Sequence, residues 1–240
     1  MITFIKNKNA MKKGLALAAA AMMTALCVNA QTRFDSGTVT LQPRLGGTGS
    51  MFINAPDRTI NGEKADATAA GGTFTGLDLE YYLSERIGIA AGVNYAGSGT
   101  GWENFDYKGA SGAKMEVKEI AWKTEYINIP LTLNWYVLKG FALKTGVQFG
   151  FLVYAKDFSL TEYSTGDTDF TLTEKTDIKD DLNKFDISIP IGLSYEFKFP
   201  IVIDFRFNIG LSKVNKNATV DGKDYKNMQT ALTFGYKFKL

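Results

Sequence analysis

The end of the chain alternates without a break. Leu232, Phe234, Tyr236, Phe238 and Leu240 take every second place, with Thr233, Gly235, Lys237 and Lys239 between them. Residues two apart share one face of a strand, so this segment reads as a strand with one apolar and one polar face. It stops on the apolar face, which suits a sheet whose outer surface meets lipid.

The same period recurs upstream. Eight candidate strands are legible: Thr38–Phe52, Phe74–Leu83, Ile87–Gly97, Glu125–Val137, Phe141–Phe158, Phe185–Phe197, Ile201–Val214 and Met228–Leu240. The seventh separates its faces well, with Ile203, Phe205, Phe207, Ile209 and Leu211 opposing Asp204, Arg206, Asn208 and Gly210. In the second, Leu77, Leu79, Tyr81 and Leu83 oppose Asp78, Glu80 and Tyr82. No later segment has the 18 or so consecutive apolar residues of a membrane helix.

Connections alternate between short and long. Ser84-Glu85-Arg86, Leu138-Lys139-Gly140 and Lys198 to Pro200 are short, and the other four are long and polar. An even number of antiparallel strands then has turns at one end and loops at the other, the pattern of an outer-membrane barrel with periplasmic turns. The expected fold is an all-β, eight-stranded, antiparallel up-and-down transmembrane barrel, closed so that no sheet edge is left bare.

Alternation does not say which face is outside. A soluble lipocalin-like barrel would enclose an apolar ligand, whereas a membrane barrel turns its apolar face to lipid. Strand length favours the membrane, since about 9–11 tilted residues suffice to cross. So do the aromatics near the short turns, Tyr81, Trp135, Tyr136, Phe141, Tyr195, Phe197, Tyr236 and Phe238, which suit an interfacial girdle.

The first thirty residues point the same way. Lys12 and Lys13 precede the apolar run Gly14 to Leu26, and Val28-Asn29-Ala30 offers small residues for cleavage between Ala30 and Gln31. The run is shorter than the roughly 20 residues of a spanning helix. The expected organisation is a signal peptide over 1–30 and a barrel domain over 31–240, with either Met1 or Met11 as initiator. Leu26 and Thr24 sit where a lipobox would want other residues, so Cys27 does not suggest a lipid anchor.

Cleavage would remove the sole cysteine, and the chain contains no histidine. Imidazole bases, thiolate nucleophiles and the common zinc ligand sets are then absent. No cofactor is expected, and the protein reads as non-enzymatic. Subtracting Lys6, Lys8, Lys12 and Lys13 from 27 basic residues leaves 23 against 25 acidic ones. That near-neutral balance argues against nucleic acid as a partner.

On the membrane reading the polar parity faces the lumen. Arg44, Asp78, Glu80, Lys144, Asp204, Arg206 and Lys237 form a candidate interior cluster. An eight-stranded interior is just wide enough for side chains to fill, so a salt-bridged plug is expected in place of an ion path.

Two segments repeat one pattern: Ile127 to Trp135 ("INIPLTLNW") and Ile187 to Tyr195 ("ISIPIGLSY"). Both place a proline, Pro130 or Pro190, on the inward parity, where a local bulge is expected. With Tyr126 to Leu133, Phe185 to Phe197, Phe205 to Val214 and the terminal strand, this arrangement resembles the PorT-like outer-membrane β-barrel family of Bacteroidetes. The resemblance covers most of the mature chain and implies location in the outer membrane. It would also allow a role as an accessory component of a secretion or assembly complex. Thr233, Gly235, Phe238 and Leu240 likewise resemble the terminal signal read by the barrel-assembly machinery.

The long loops carry the remaining hints. The third contains Asp157, Glu162, Asp167, Asp169, Glu174, Asp177, Asp180 and Asp181, without a calcium-loop spacing. Phe158, Leu160, Phe170 and Leu172 alternate around Ser164-Thr165-Gly166-Asp167, which predicts that strands five and six continue as a protruding hairpin. Asn61-Gly62 and Asp221-Gly222 predict smaller hairpins, and Trp102, Phe105 and Tyr107 could form a stacking platform. The expected partners are outer-membrane lipids, the assembly machinery and a protein bound at the extracellular loops.

Overall fold

The computed structural model describes residues 34–60, 63–108, 114–165, 168–217 and 222–240. The expectations for segment 1–30, Gln31, Asn61-Gly62, Gly166-Asp167 and Asp221 lie outside the described residues.

Eight long strands form one closed ring: β1 (Val39–Ile53), β2 (Ala70–Ser84), β3 (Ile87–Trp102), β4 (Lys114–Leu138), β5 (Phe141–Thr165), β6 (Phe185–Glu196), β7 (Ile201–Gly210) and β8 (Lys226–Tyr236). Each pairs antiparallel with the next, and β8 pairs back onto β1. Closure leaves no spanning strand of the ring with an exposed edge, which a bilayer demands.

The turns at one end are tight. Leu138 pairs with Phe141, leaving Lys139 and Gly140 as the whole β4–β5 turn. Gly140 takes φ 73°, a conformation glycine adopts without steric cost. At the β2–β3 turn the Ser84 hydroxyl accepts from the backbone N–H groups of Arg86 and Ile87.

The apolar parity faces outward. Leu77, Leu79, Leu131, Leu133, Leu193, Phe205, Leu232 and Phe234 are all exposed on the wall. The polar parity fills the lumen, where Thr40, Gln42, Arg44, Thr48 and Ser50 of β1 are buried. An apolar outer surface over a polar core inverts a soluble domain and fits lipid as the surrounding solvent.

Prolines shape the wall differently from expectation. Pro130 and Pro190 are buried and inward, but no register shift accompanies either. Instead the ladder loses two pairs and resumes in register, between Ala91↔Leu131 and Asn94↔Asn128 and between Ser188↔Gln148 and Ile191↔Thr145. Proline lacks the N–H donor that the pair requires. In both gaps the inward residue opposite the proline is a glycine, Gly92 or Gly146. Pro43 acts likewise between β1 and β8, where pairing skips from Arg44↔Gly235 to Leu41↔Phe238. The last strand is therefore interrupted at Lys237, whose N–H donates to Pro200 O at 2.7 Å.

The genuine register shifts lie elsewhere, at Tyr82/Ser84, Val117/Glu119, Glu125/Tyr126 and Tyr136/Leu138.

The hairpin at the loop end also differs. β4 begins at Lys114, well before Glu125, and β5 runs on to Thr165. The strand Thr168–Asp177 folds back on β5, with Phe170 opposite Tyr163. A 3-10 turn, Lys179–Asp181, separates it from β6, so it is not a continuation of that strand. Phe105–Lys108 adds to the other side of β4. The result is a four-stranded sheet standing on the barrel rim.

Candidate functional site

Closing the ring brings side chains from distant strands together in the lumen, in two ion-pair layers. In the middle layer, Arg44 of β1 bridges Asp78 of β2 (2.9 Å) and Asp204 of β7 (3.1 Å). Arg206 also reaches both acids, at 2.8 Å and 2.9 Å, and Lys144 of β5 binds Asp204 at 2.6 Å. Three cations thus share two carboxylates. The Arg44 guanidinium additionally lies 5.0 Å from the Phe74 ring centre.

The second layer lies nearer the short turns. Lys237 contacts Glu80 and Glu196, both at 3.2 Å. Its ammonium also donates to the hydroxyls of Tyr82 and Tyr136, at 2.9 Å and 3.1 Å. Asn134 Nδ2 donates to Glu80 at 2.7 Å. Phe34 packs over Tyr82, with ring centres 4.8 Å apart, and closes this mouth.

The seven charged residues singled out from the sequence therefore all lie buried in the lumen, split between these layers. Tyr82, Asn134, Tyr136 and Glu196 join them. Tyr136 is thus not part of the girdle, as its ring lies inside. Its even-numbered parity, shared with Thr132 and Asn134, carried that signal. Trp135, Tyr81, Tyr236 and Phe238 do face outward. Tyr195 lies on the outward parity but is covered, with Phe197 edge-on at 5.0 Å.

Of the four terminal residues, Thr233 is buried inside and Phe238 and Leu240 are exposed outside. Gly235 faces Arg44 across the β1–β8 seam, where a Cβ would meet Gln42 and Arg44.

The loop-end mouth is closed by apolar side chains. Phe52, Tyr126, Leu152, Ala155, Leu182, Val214 and Tyr225 pack into one cluster, with Trp122 against it. Leu182 arrives on the third long loop, and Val214 and Tyr225 on the fourth.

Arg58, from the first loop, clamps this cap. Its guanidinium lies 4.1 Å from the Trp102 ring centre and forms two bonds to Asp157, at 3.1 Å and 2.7 Å. Trp122 Nε1 donates to the same carboxylate at 3.1 Å. Trp102 is buried in this arrangement, packed edge-on to Trp122, and so is not an exposed stacking platform. Among the described residues no group of three or more Asp, Glu, His or Cys is arranged to hold a metal ion. Glu162 lies 3.5 Å from Lys118, and Asp180 lies 3.3 Å from Lys184.

A lumen filled by buried ion pairs, inside a ring whose outer wall is apolar, defines an integral β-barrel of the outer-membrane class. A family model described as "Outer membrane protein beta-barrel domain" matches residues 29–216, so the chain belongs to that family and resides in the outer membrane. No curated protein matches the chain. Among solved structures, OprG of Pseudomonas aeruginosa is similar at 14% identity, covering 88% of this chain and 100% of that chain, with a TM-score of 0.41. Ail of Yersinia pestis, solved with the heparin analogue sucrose octasulfate, gives 12% identity, 85% and 99% coverage and a TM-score of 0.39. Outer membrane protein W of E. coli gives 12% identity, 85% and 99% coverage and 0.33.

Proposed function

We propose that this protein is a non-enzymatic surface protein that binds a protein partner through the sheet on its extracellular rim. The observation that carries the reading is the strand Thr168–Asp177. It pairs on one side with β5 and has no strand on its other side among the described residues. Phe170 to Asp177 are exposed throughout. Such an edge presents a row of backbone donors and acceptors that an incoming strand can complete. The filled lumen supports a binding role over a conducting one, because eight strands leave no aqueous channel.

The experiment replaces Thr171 and Thr173 by proline in the full-length protein and compares capture of surface partners from native membranes. Loss of a specific partner, with heat-modifiable migration on a detergent gel preserved, supports edge pairing. Identical capture by wild type and variant rules it out.

The PorT-like resemblance of residues 126–133 and 185–197 supports a second reading, in which the bound partner belongs to a secretion or assembly complex. Co-purification of one stable multi-protein assembly is its expected signature, and recovery of the barrel alone from mild detergent counts against it. We further propose that segment 1–30 is removed between Ala30 and Gln31. Thr233, Gly235, Phe238 and Leu240 would then engage the barrel-assembly machinery.

A further inference from the structure

Among the described residues the lumenal charges balance without Asp186. Arg44, Lys144, Arg206 and Lys237 stand against Asp78, Glu80, Glu196 and Asp204, four against four. Asp186 is a fifth acid, buried on the inward face of β6. It accepts hydrogen bonds from Ser212 Oγ, the Asn227 side-chain amide and the Ile187 backbone N–H, and among the described residues no lysine or arginine forms an ion pair with it. A buried carboxylate without a cation is costly unless something compensates it.

It borders a cavity of about 20 Å³ in the loop-side half of the lumen, lined also by Tyr126, Asn128, Gln148, Ser188, Asn208 and Asn227. Each amide there also places an N–H on another neighbour. Asn208 donates to Gln229, Asn227 to Tyr126, Asn128 to Asn94 and Gln148 to Ser188. Asn208 Oδ1 is buried and accepts no hydrogen bond. One cavity therefore holds an unfilled amide oxygen, Asn208 Oδ1, and a carboxylate whose charge no described lysine or arginine balances. A neutral water can donate to both but leaves the charge unbalanced. A cation meets the acceptors and the unbalanced charge together.

We propose that this cavity binds one dehydrated monovalent metal cation, sodium or potassium, held by the Asp186 carboxylate and Asn208 Oδ1. Size and charge decide against the alternatives. The space is about that of a single water, too small for magnesium with its retained waters. Calcium takes six to eight oxygen ligands, usually including several carboxylates, and among the described residues Asp186 is the only carboxylate on this lining.

The test follows thermal unfolding of the full-length protein in detergent micelles, in sodium, potassium or tetramethylammonium chloride at equal ionic strength. At a concentration ten-fold above Kd the metal salts should raise the midpoint by roughly 3–6 °C. Asp186→Asn should lose that rise. Equal midpoints in all three salts would mean that only water occupies the cavity and would overturn the proposal, as would a rise retained in Asp186→Asn. Greater stabilisation by calcium or magnesium would overturn the choice of a monovalent ion. If Asp186→Asn fails to insert, sodium-23 line broadening by the wild type decides the matter. It should be displaced by potassium and weakened in Asn208→Ala, and its absence sinks the site.

Discussion

Lys237 Nζ lies 3.2 Å from Glu80 Oε2, joining the last strand segment to β2 through the interior of the ring and not through its wall. Between them in the wall stands β1, so the contact exists only once the barrel has closed. It ties burial of charge to correct closure.

Lys237→Met should therefore be severely destabilising. It leaves Glu80 and Glu196 buried without their cation, and breaking a buried pair from one side costs about 3–5 kcal/mol. Urea unfolding of the protein in lipid vesicles, followed by tryptophan fluorescence, measures the loss. Adding Glu80→Gln to the variant should recover part of it, because one orphaned charge is then removed. A fully additive loss in the double variant would show that the pair is not coupled.

Asp204 serves Arg44, Lys144 and Arg206 together, so Asp204→Asn should cost at least as much as loss of Lys237, about 3–5 kcal/mol. Lys144→Met in the same chain should restore some stability. The same vesicle assay reads both, and Asp204→Asn with unchanged stability would contradict the layer as drawn.

Gly146 lies opposite Pro190, and a Cβ there would run into the Leu131 carbonyl. Gly146→Ala should therefore cost roughly 1–3 kcal/mol through overpacking against backbone. Gly71 has no atom within 4 Å of an added Cβ, so Gly71→Ala should stay within about 0.5 kcal/mol. Comparing heat-modifiable fractions of the two variants distinguishes close packing from a general intolerance of side chains in the strands.

Leu131 and Asn128 share β4 but face opposite ways. Leu131→Arg puts a charge on the lipid face and should cost about 2–4 kcal/mol if it lies near the midplane. Trp135→Arg, closer to the turns, should cost about 0–1 kcal/mol. Vesicle unfolding midpoints check the order. An inverted order would misplace the bilayer along the wall.

Arg58 clamps the outer mouth, and Arg58→Lys should open it. Lysine cannot hold Asp157 with two parallel bonds or stack as a plane on Trp102. Faster backbone hydrogen exchange is expected around Phe52 to Asp57 and Leu182 to Lys184, with the barrel strands unchanged. Unaltered exchange in those segments would show that the apolar cluster alone closes the mouth.

The sequence determined the strands, their faces and their short turns, because a period of two is a local property that the pleat enforces. Strand seven's separation of Phe205 and Phe207 from Asp204 and Arg206 was readable without any partner. Parity alone also held Tyr136 and Glu196 on the inner face, although residue type drew Tyr136 to the girdle: a tyrosine is amphipathic and suits either place. Only the tertiary structure decided which charges meet, because those distances follow from ring closure and strand register, neither of which is local. It likewise decided that Pro43, Pro130 and Pro190 interrupt pairing without a bulge, since a missing donor can be tolerated when the neighbours hold register. The loops needed it most. Arg58, Asp157 and Trp102 lie on three separate segments, and nothing in their spacing announces that they close one mouth.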